Sequence, residues 1–581
     1  WICRKAWSIM PIKGKLLILA HNLSYDLRFL LEHIIVTGYL PKNGRCLQAR
    51  GFRVVNGQQV DFTFHDTLSL IPKPLSEFGK CFGLEQGKEV MPYKLYTQEN
   101  IHQRWCPIED AVQILKDDGK TTSDIEHFLK TIEELNLVGG RWFDIIEYSA
   151  YYCRRDTEVT KKGYDVFRGW VLSGLGVDTD ECLTTTSISK KVSRDTGCFE
   201  EVYQLGGSVR DYIQQCVVGG RVMTRENKMV HIKGKIADFD GVSLYPSSIA
   251  RLPGFLKGKP KILENKSYQF LQGVDGYFIR IKITDLRKRR AFPLLSKINE
   301  KGSREFTNEM IGETVYIDKF GLEDAIEFHD ISFEIVDGVY FDEGRNELPR
   351  KVIRQLFKLR AQHKRNKNPI QEVFKLIMNT FYGFTCQKAP EYDIKILTED
   401  DFNTYLALNY NYIHSYTNIG GHKWCVKAYN PIDDHYNFVH VGVEVLSMSK
   451  RIMNEVMCTA EDHGIPIFYE DTDSTHMFSE DVPKLAEAFK AKYDRELIGK
   501  DLGQFHDDFD LPGTANDVHS TEFIGLGKKC YLDCLKGKDK DGNEVSGYHI
   551  RMKGVPTSCV QWTAKERNQS VRELYIDMFK H

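Results

Sequence analysis

Three short strings, met in a fixed order along the chain, restrict what it can fold into: Asp240-Gly-Val-Ser243-Leu244-Tyr245-Pro-Ser247, Lys375-Leu-Ile-Met-Asn379-Thr-Phe-Tyr382-Gly383 and Tyr469-Glu-Asp471-Thr472-Asp473-Ser474. The first and third each close an apolar stretch, Ile236-Ala237 and Ile465-Pro-Ile-Phe468, and so place carboxylates where strands stop. The middle string spaces Lys375, Asn379 and Tyr382 at i, i+4 and i+7, which is one face of a helix. A lone Asp-x-Asp hairpin is usually surface decoration. Three such strings in one order, with workable spacing, are hard to assemble by chance.

Phosphodiester formation uses two divalent cations about 3.5–4 Å apart to activate a 3′-hydroxyl and neutralise the leaving pyrophosphate. Mg²⁺ prefers a few carboxylates plus substrate phosphates to an all-protein cage. Asp240 at one strand end and Asp473 in a strand-turn-strand hairpin supply two such carboxylates, and Asp471 stands as an outer ligand. Lys375 suits an anionic triphosphate as a point charge. Arg360, Lys364 and Lys367 share a face of the preceding helix and either continue that positive cradle or form a solvated basic helix. Tyr245 and Tyr382 are candidates to pack the incoming sugar and base, with Tyr245 placed to exclude a 2′-hydroxyl.

The remaining sequence sets the frame for that chemistry. At 581 residues the chain is too long for one core and divides into several domains. No run of eighteen apolar residues occurs, so no transmembrane helix and no membrane partner are expected. Fourteen cysteines without a CxxC pair speak against a zinc site or a disulfide framework and for an intracellular, unsecreted protein. The net charge of -2 does not announce nucleic acid, but Arg287-Lys-Arg-Arg290, Arg360 through Lys367 and Lys528-Lys529 are local basic clusters. Arg287–Arg290 reads equally as a DNA contact and as solvated surface.

Periodicity predicts a strand at 16–20, a helix at 26–35, strands at 52–55 and 60–64 joined by an Asn56-Gly57 hairpin, and a long helix at 143–167. Strands dominate residues 200–250, with a hairpin signal at Lys233-Gly234. Residues 254–346 read as a block of short strands and turns. Helices follow from Pro349 to Asn366 and at 371–384, then a Tyr- and Asn-rich insert at 388–435, a helix at 441–463 and a short mixed tail after 525.

The three strings resemble the polymerase motifs of the family B DNA polymerases (DxxSLYPS, KxxxNSxYG, YxDTDS), departing only at Thr380, where the family usually has Ser. The resemblance implies that Asp240 and Asp473 bind two Mg²⁺ ions, with Mn²⁺ able to substitute, and that Asp471 and Lys375 complete the catalytic set. It implies nucleotide contacts at Ser243, Leu244, Tyr245, Arg360, Lys364, Asn379 and Tyr382, and DNA contacts at Gly383 and Thr472. Upstream, Asn22-Leu-Ser-Tyr25-Asp26 and Tyr152-Cys-Arg-Arg-Asp156 resemble the second and third motifs of the 3′–5′ proofreading exonuclease. Asp66-Thr67-Leu68 resembles its single-strand-binding motif, and Lys88-Glu-Val-Met91 the catalytic lysine motif of the protein-primed branch. The first exonuclease motif, Asp-x-Glu, should precede Asn22, yet residues 1–21 hold no Asp or Glu. Asp124-Ile-Glu126 lies downstream in a capped helix and reads as a decoy. The chain opens Trp1-Ile-Cys, and the simplest expectation is a truncated N-terminus.

The two inserts resemble the terminal-protein regions of polymerases that prime from a protein hydroxyl, as in linear phages, adenoviruses, Maverick/Polinton elements and linear mitochondrial plasmids. Val217-Val-Gly219-Gly220-Arg221 sits where that branch has Tyr-x-Gly-Gly, with Val in place of Tyr, and Lys529-Cys-Tyr531 resembles its primer-holding Lys-x-Tyr. The resemblance thus implies an α+β multidomain right hand. Its parts are a ribonuclease-H-like exonuclease domain (1–165), palm (166–253 and 436–525), first insert (254–346), fingers (347–387), second insert (388–435) and thumb (526–581). Its expected work is template-directed, protein-primed DNA synthesis on a linear genome, with primer-template DNA, dNTPs and a terminal protein as partners. An RNA-primed family B replicase and a catalytically inactive replication scaffold are the rival readings. Intact Asp240, Asp473 and Lys375 count against the scaffold.

Overall fold

The structure is a computed structural model and describes residues 15–42, 44–55, 57–85, 87–98, 102–366, 368, 370–388, 392–429, 435–514 and 516–580. Asn56, Lys367 and the opening residues 1–14, on which parts of the sequence reading fall, lie outside them. The chain forms two compact units. One comprises Trp1–Val192, Arg360–Ile377 and Ala389–Asp433, the other Ser193–Leu359, Met378–Lys388 and Asp434–His581.

In the first unit, β1 (Lys15–Ala20), β2 (Ile35–Lys42), β3 (Arg45–Val55) and β4 (Gln58–Asp66) form a sheet in the order β1-β4-β3-β2. β1 runs parallel to β4 and the other pairs are antiparallel. The Val55↔Gln58 pairing closes a two-residue hairpin, and Gly57 takes φ +77°, the left-handed backbone such a turn demands. The first helix, α1, spans Leu23–Leu30, not 26–35 as expected, and Ile35 already opens β2. The reason is tertiary: the buried Asp66 carboxylate, brought over by the β1–β4 pairing, accepts the Asn22 amide at 2.9 Å and starts the helix there. α2 (Ile145–Leu175) is capped by Asp144 and runs eight residues past its expected end, to Gly176 at φ +70°. The decoy pair sits in Thr122–Glu134, where Asp124 and Thr121 form a capping box. The insert strands Tyr392–Thr398, Ile413–Gly420 and Lys423–Tyr429 make an antiparallel sheet with the last in the middle.

The second unit is built on an eight-stranded sheet. β5 (Val222–Thr224), β6 (Val230–Gly241), β7 (Ile467–Asp471), β8 (Ser474–Phe478), β9 (Asn516–Gly527), β10 (Cys530–Lys538) and β11 (Glu544–Met552) pair in the order β11-β10-β9-β6-β8-β7-β5, and Phe505–Asp507 adds to β6. The expected Lys233-Gly234 hairpin does not form. β6 runs straight through it, because Gly234 lies under the Phe478 ring, where a Cβ would come within 2.7 Å. Nor is residue range 200–250 mainly strand: Gly207–Gln214 and α3 (Leu244–Arg251) are helices. The 254–346 block likewise holds two 11-residue strands, Gly276–Leu286 and Ile331–Phe341, and the helix Lys319–His329. Further on come α4 (Leu348–Arg365), α5 (Gln371–Gly383, which crosses from one unit to the other) and α6 (Val439–Asp462). Nearly every residue of α6 is buried, its polar members included: Glu444 accepts from Arg345, and Asn454 donates to Asp324. Phe239, Leu244, Met453, Met457, Met477 and Phe505 form the core beside it. Burying side chains of this size is worth about 1.5–3 kcal/mol each.

Candidate active site

β6 and β8 bring the two expected metal ligands to one sheet end. Asp240 pairs in register with Ser474, the residue after Asp473, and the Gly241 amide donates to the Asp473 carbonyl at 2.8 Å. The β7–β8 turn is tight: Thr472 takes φ +69° and the Asp473 amide donates to the Asp471 carbonyl at 2.8 Å. Burial pushes Asp240 up to about 8, with Asp473 and Asp238 adding like charge. Asp473 is also raised, by burial first and then by Asp471. Neither carboxylate makes an ion pair among the described residues, whereas Asp471 does, with Lys529 Nζ at 2.6 Å. Among the described residues no three His, Cys, Asp or Glu side chains form a closed metal cage. Two crowded, unpaired carboxylates nevertheless fit cations that take the rest of their shell from a substrate.

The hairpin rests on a buried ion pair that the sequence reading missed. Arg221 donates Nε and Nη2 to Glu470, and Nη1 to the carbonyls of both Phe292 and Pro293. Its own carbonyl accepts the Thr472 amide at 2.9 Å. A signal existed: strand alternation puts Glu470 on the opposite face from Asp471, inside the core, where a carboxylate needs a cation. Gly220 makes room for Thr472, whose Cγ2 would lie 2.6 Å from an added Cβ. Gly219 and Gly383 face open space. Behind the site, His476 lies between Asp238 and Asp533. Burial works against its charge, but the two carboxylates win and raise it to about 9.

Ser243, at φ +50°, turns the chain from β6 into α3, and Tyr245 on that helix stacks against Tyr382 of α5. Asn379 is exposed on the same helix. Lys375, Lys364 and Arg360 belong to the other unit, the first two exposed, and burial lowers the Arg360 pKa while Glu372 opposes. Three expected contacts are corrected. Leu244 is 4 % exposed in the core, so its side chain is not offered to a nucleotide. Tyr531 is equally buried, against Tyr469, His476 and Phe523. Thr67 is fully buried, its hydroxyl held by His21 and the Ala20 carbonyl, while Leu68 is half-buried. In the Arg287–Arg290 cluster each cation is paired with an acid: Arg287 with Asp330, Lys288 and Arg290 with Asp462, Arg289 with Glu309.

In the first unit Asn22 caps α1 at φ +73° and Asp26 follows one turn on, its pKa raised by burial and then by Asp66. On α2, Asp156 is raised by burial, with Tyr152 hydrogen-bonded to it and Lys88 Nζ 3.8 Å away. Tyr93, absent from the sequence reading, bonds the Tyr152 hydroxyl at 2.6 Å.

An antiparallel sheet presenting two carboxylates at adjoining strand ends, flanked by a tyrosine-bearing helix, has the right-hand fold of the solved Phi29 structures. The Phi29 DNA polymerase complexed with primer-template DNA superposes with a TM-score of 0.63 at 15% identity, over 97% of this chain and 87% of that one. The Phi29 ternary complex with primer-template DNA and incoming nucleotide substrates gives 0.64 at 15% identity over the same shares. The model of the family DNA polymerase type B, organellar and viral, matches residues 7–490, and the chain belongs to that family. Relatives include a DNA polymerase of Kluyveromyces lactis, 22% identical over 94% of this chain and 53% of that protein. Another is a probable DNA polymerase of Ascobolus immersus, 20% identical over 79% of this chain and 38% of that protein. The chain thus spans about half or less of these relatives' lengths. No helix among the described residues is long and apolar enough to cross a membrane.

Proposed function

We propose that this protein is a template-directed DNA polymerase that joins dNTPs to a primer end by two-metal nucleotidyl transfer. The observation that carries the reading is the register of β6 on β8, which sets Asp240 beside Asp473, neither of them in an ion pair among the described residues. Held there, two divalent ions would supply an activated 3′-hydroxyl and neutralise charge on the leaving pyrophosphate. The chain's own part is to fix the two carboxylates through the strained Thr472 turn and the Arg221–Glu470 pair, and to keep Asp471 occupied by Lys529. Lys375 would contact the triphosphate as a point charge, and Tyr245 would lie against C2′ of the sugar and crowd out a ribonucleotide. Primer-template DNA and dNTPs would be the partners; Phi29 DNA polymerase forms complexes with primer-template DNA and incoming nucleotide substrates. Primer extension with Mg²⁺ tests this: Asp473→Ala should abolish synthesis while retaining DNA binding. Substantial extension by that variant would overturn the assignment.

Family membership in the organellar and viral branch, with inserts at 254–346 and 388–435, favours priming from a terminal protein over RNA priming. Covalent transfer of a radiolabelled dNMP to a protein hydroxyl, without any oligonucleotide, is the product to look for. Asn22, Asp26, Lys88, Tyr152 and Asp156 support a 3′–5′ exonuclease site in the first unit. Degradation of mismatched 3′ ends, and its loss on Asp156→Ala, would test that site.

A further inference from the structure

A cavity of about 740 Å³ opens on the side of α3 away from Tyr245. Ser247, Ala250 and Arg251 line it. They follow Tyr245 by two, five and six residues, which at roughly 100° per residue puts them on the opposite face. Three guanidinium groups converge there, from Arg251, Arg354 and Arg495. Arg251 gives both terminal nitrogens to Glu455, one at 2.8 Å, and Arg495 gives its Nη2 to the same carboxylate at 2.5 Å. One carboxylate therefore serves two cations. Arg354 meets no carboxylate among the described residues, and its Nη2 donates only to the Ala250 carbonyl, at 3.0 Å. Of the other acids on the wall, Glu496 is engaged by Lys490, and Asp501 lies exposed at the rim. Three guanidinium groups against Glu455 and Asp501 leave one positive charge, and most of their five donors apiece are unmet by protein.

We propose that this cavity binds a small phosphate-bearing anion at a site separate from the nucleotide site. Planar guanidinium donors on several sides suit phosphate oxygens, which accept them two at a time. The volume is ample for orthophosphate or pyrophosphate. Because Arg354 and, at 3.5 Å, Arg350 hold the carbonyl of Ala250 in the last turn of α3, a bound anion would stiffen the helix that carries Tyr245.

Titrating the metal-free chain in EDTA with pyrophosphate, by calorimetry and thermal melting, tests the proposal, since without cations the Asp240–Asp473 site offers that anion no positive charge. Saturable binding is expected, competed by orthophosphate, with affinity reduced about tenfold or more in Arg354→Gln and in Arg495→Gln, a loss typical of one charged hydrogen bond. Arg354 is exposed and paired only with main chain, so its variant keeps the fold and the test informative. Lys375→Ala should bind as the wild type does. No binding, wild-type affinity in both arginine variants, or loss of binding in Lys375→Ala would each overturn the proposal.

Discussion

Tyr245 and Tyr382 stack on one another, with ring centroids 4.8 Å apart and planes inclined by 15°. The two side chains expected to pack the incoming sugar and base are thus in contact across the space a nucleotide would enter. Such a stack is worth about 0.5–1.5 kcal/mol, so a nucleotide that parts the rings must offset it. Tyr245→Val removes both the stack and the bulk beside the sugar. Ribonucleotide incorporation relative to deoxyribonucleotide should rise by about ten- to a hundredfold, the range a methylene-scale steric contact provides. Single-nucleotide extension with paired rNTP and dNTP substrates reads this ratio, and an unchanged ratio would assign the gate to another residue.

Asp240 is strained electrostatically before any metal arrives. Its carboxyl pKa, pushed from 3.8 to about 8 by burial and by Asp473, means that the fold disfavours the ionised form. The cost is absent below pH 3.8, grows between 3.8 and 8, and is complete above 8. Asp240→Asn should therefore melt at a higher temperature than the wild type in EDTA at pH 8, with the gap narrowing as pH falls. Its extension rate should fall by at least about 10²–10³-fold, the scale of losing one preorganised electrostatic group. A lower melting temperature for the variant at pH 8 would contradict the strain.

The Arg221–Glu470 pair, both members no more than 3 % exposed, supports the β7–β8 turn from beneath. Arg221→Ala leaves a buried carboxylate alone and should destabilise the second unit by about 3–5 kcal/mol, whereas the double variant Arg221→Met with Glu470→Met should recover much of that loss. Chemical denaturation of the set gives the coupling. If the double variant were no more stable than Arg221→Ala, packing rather than charge would be the pair's contribution.

Near the C-terminal end, Glu522 on β9 accepts from Arg572 and from His231, which hold its carboxyl down at about 2. A depressed carboxyl pKa stabilises the fold above its unfolded value of 4.5, and that stability drains away as pH falls toward 2. Arg572→Ala should cost on the order of 1 kcal/mol at pH 7, discounted because the arginine is partly exposed. The cost should shrink through the acid range. Urea unfolding at several pH values would show this, and a penalty independent of pH would refute the ion-pair account.

What the sequence determined by itself was the local chemistry: which carboxylates end strands, that Lys375, Asn379 and Tyr382 share a helix face, that Gly57 sits in a hairpin turn. Those follow from periods and turn residues, which act over a few positions. The tertiary structure decided everything that needed a partner from far along the chain. Gly234 reads as a turn until Phe478 is seen lying over it, and the helix expected at 26–35 begins at Leu23 because Asp66 captures the Asn22 amide. Arg287–Arg290 reads equally as a DNA contact and as solvated surface, and only the fold shows that Asp330, Asp462 and Glu309 pair with its cations. A charge declares its sign in the sequence, but whether it remains available depends on which distant residue folding sets beside it.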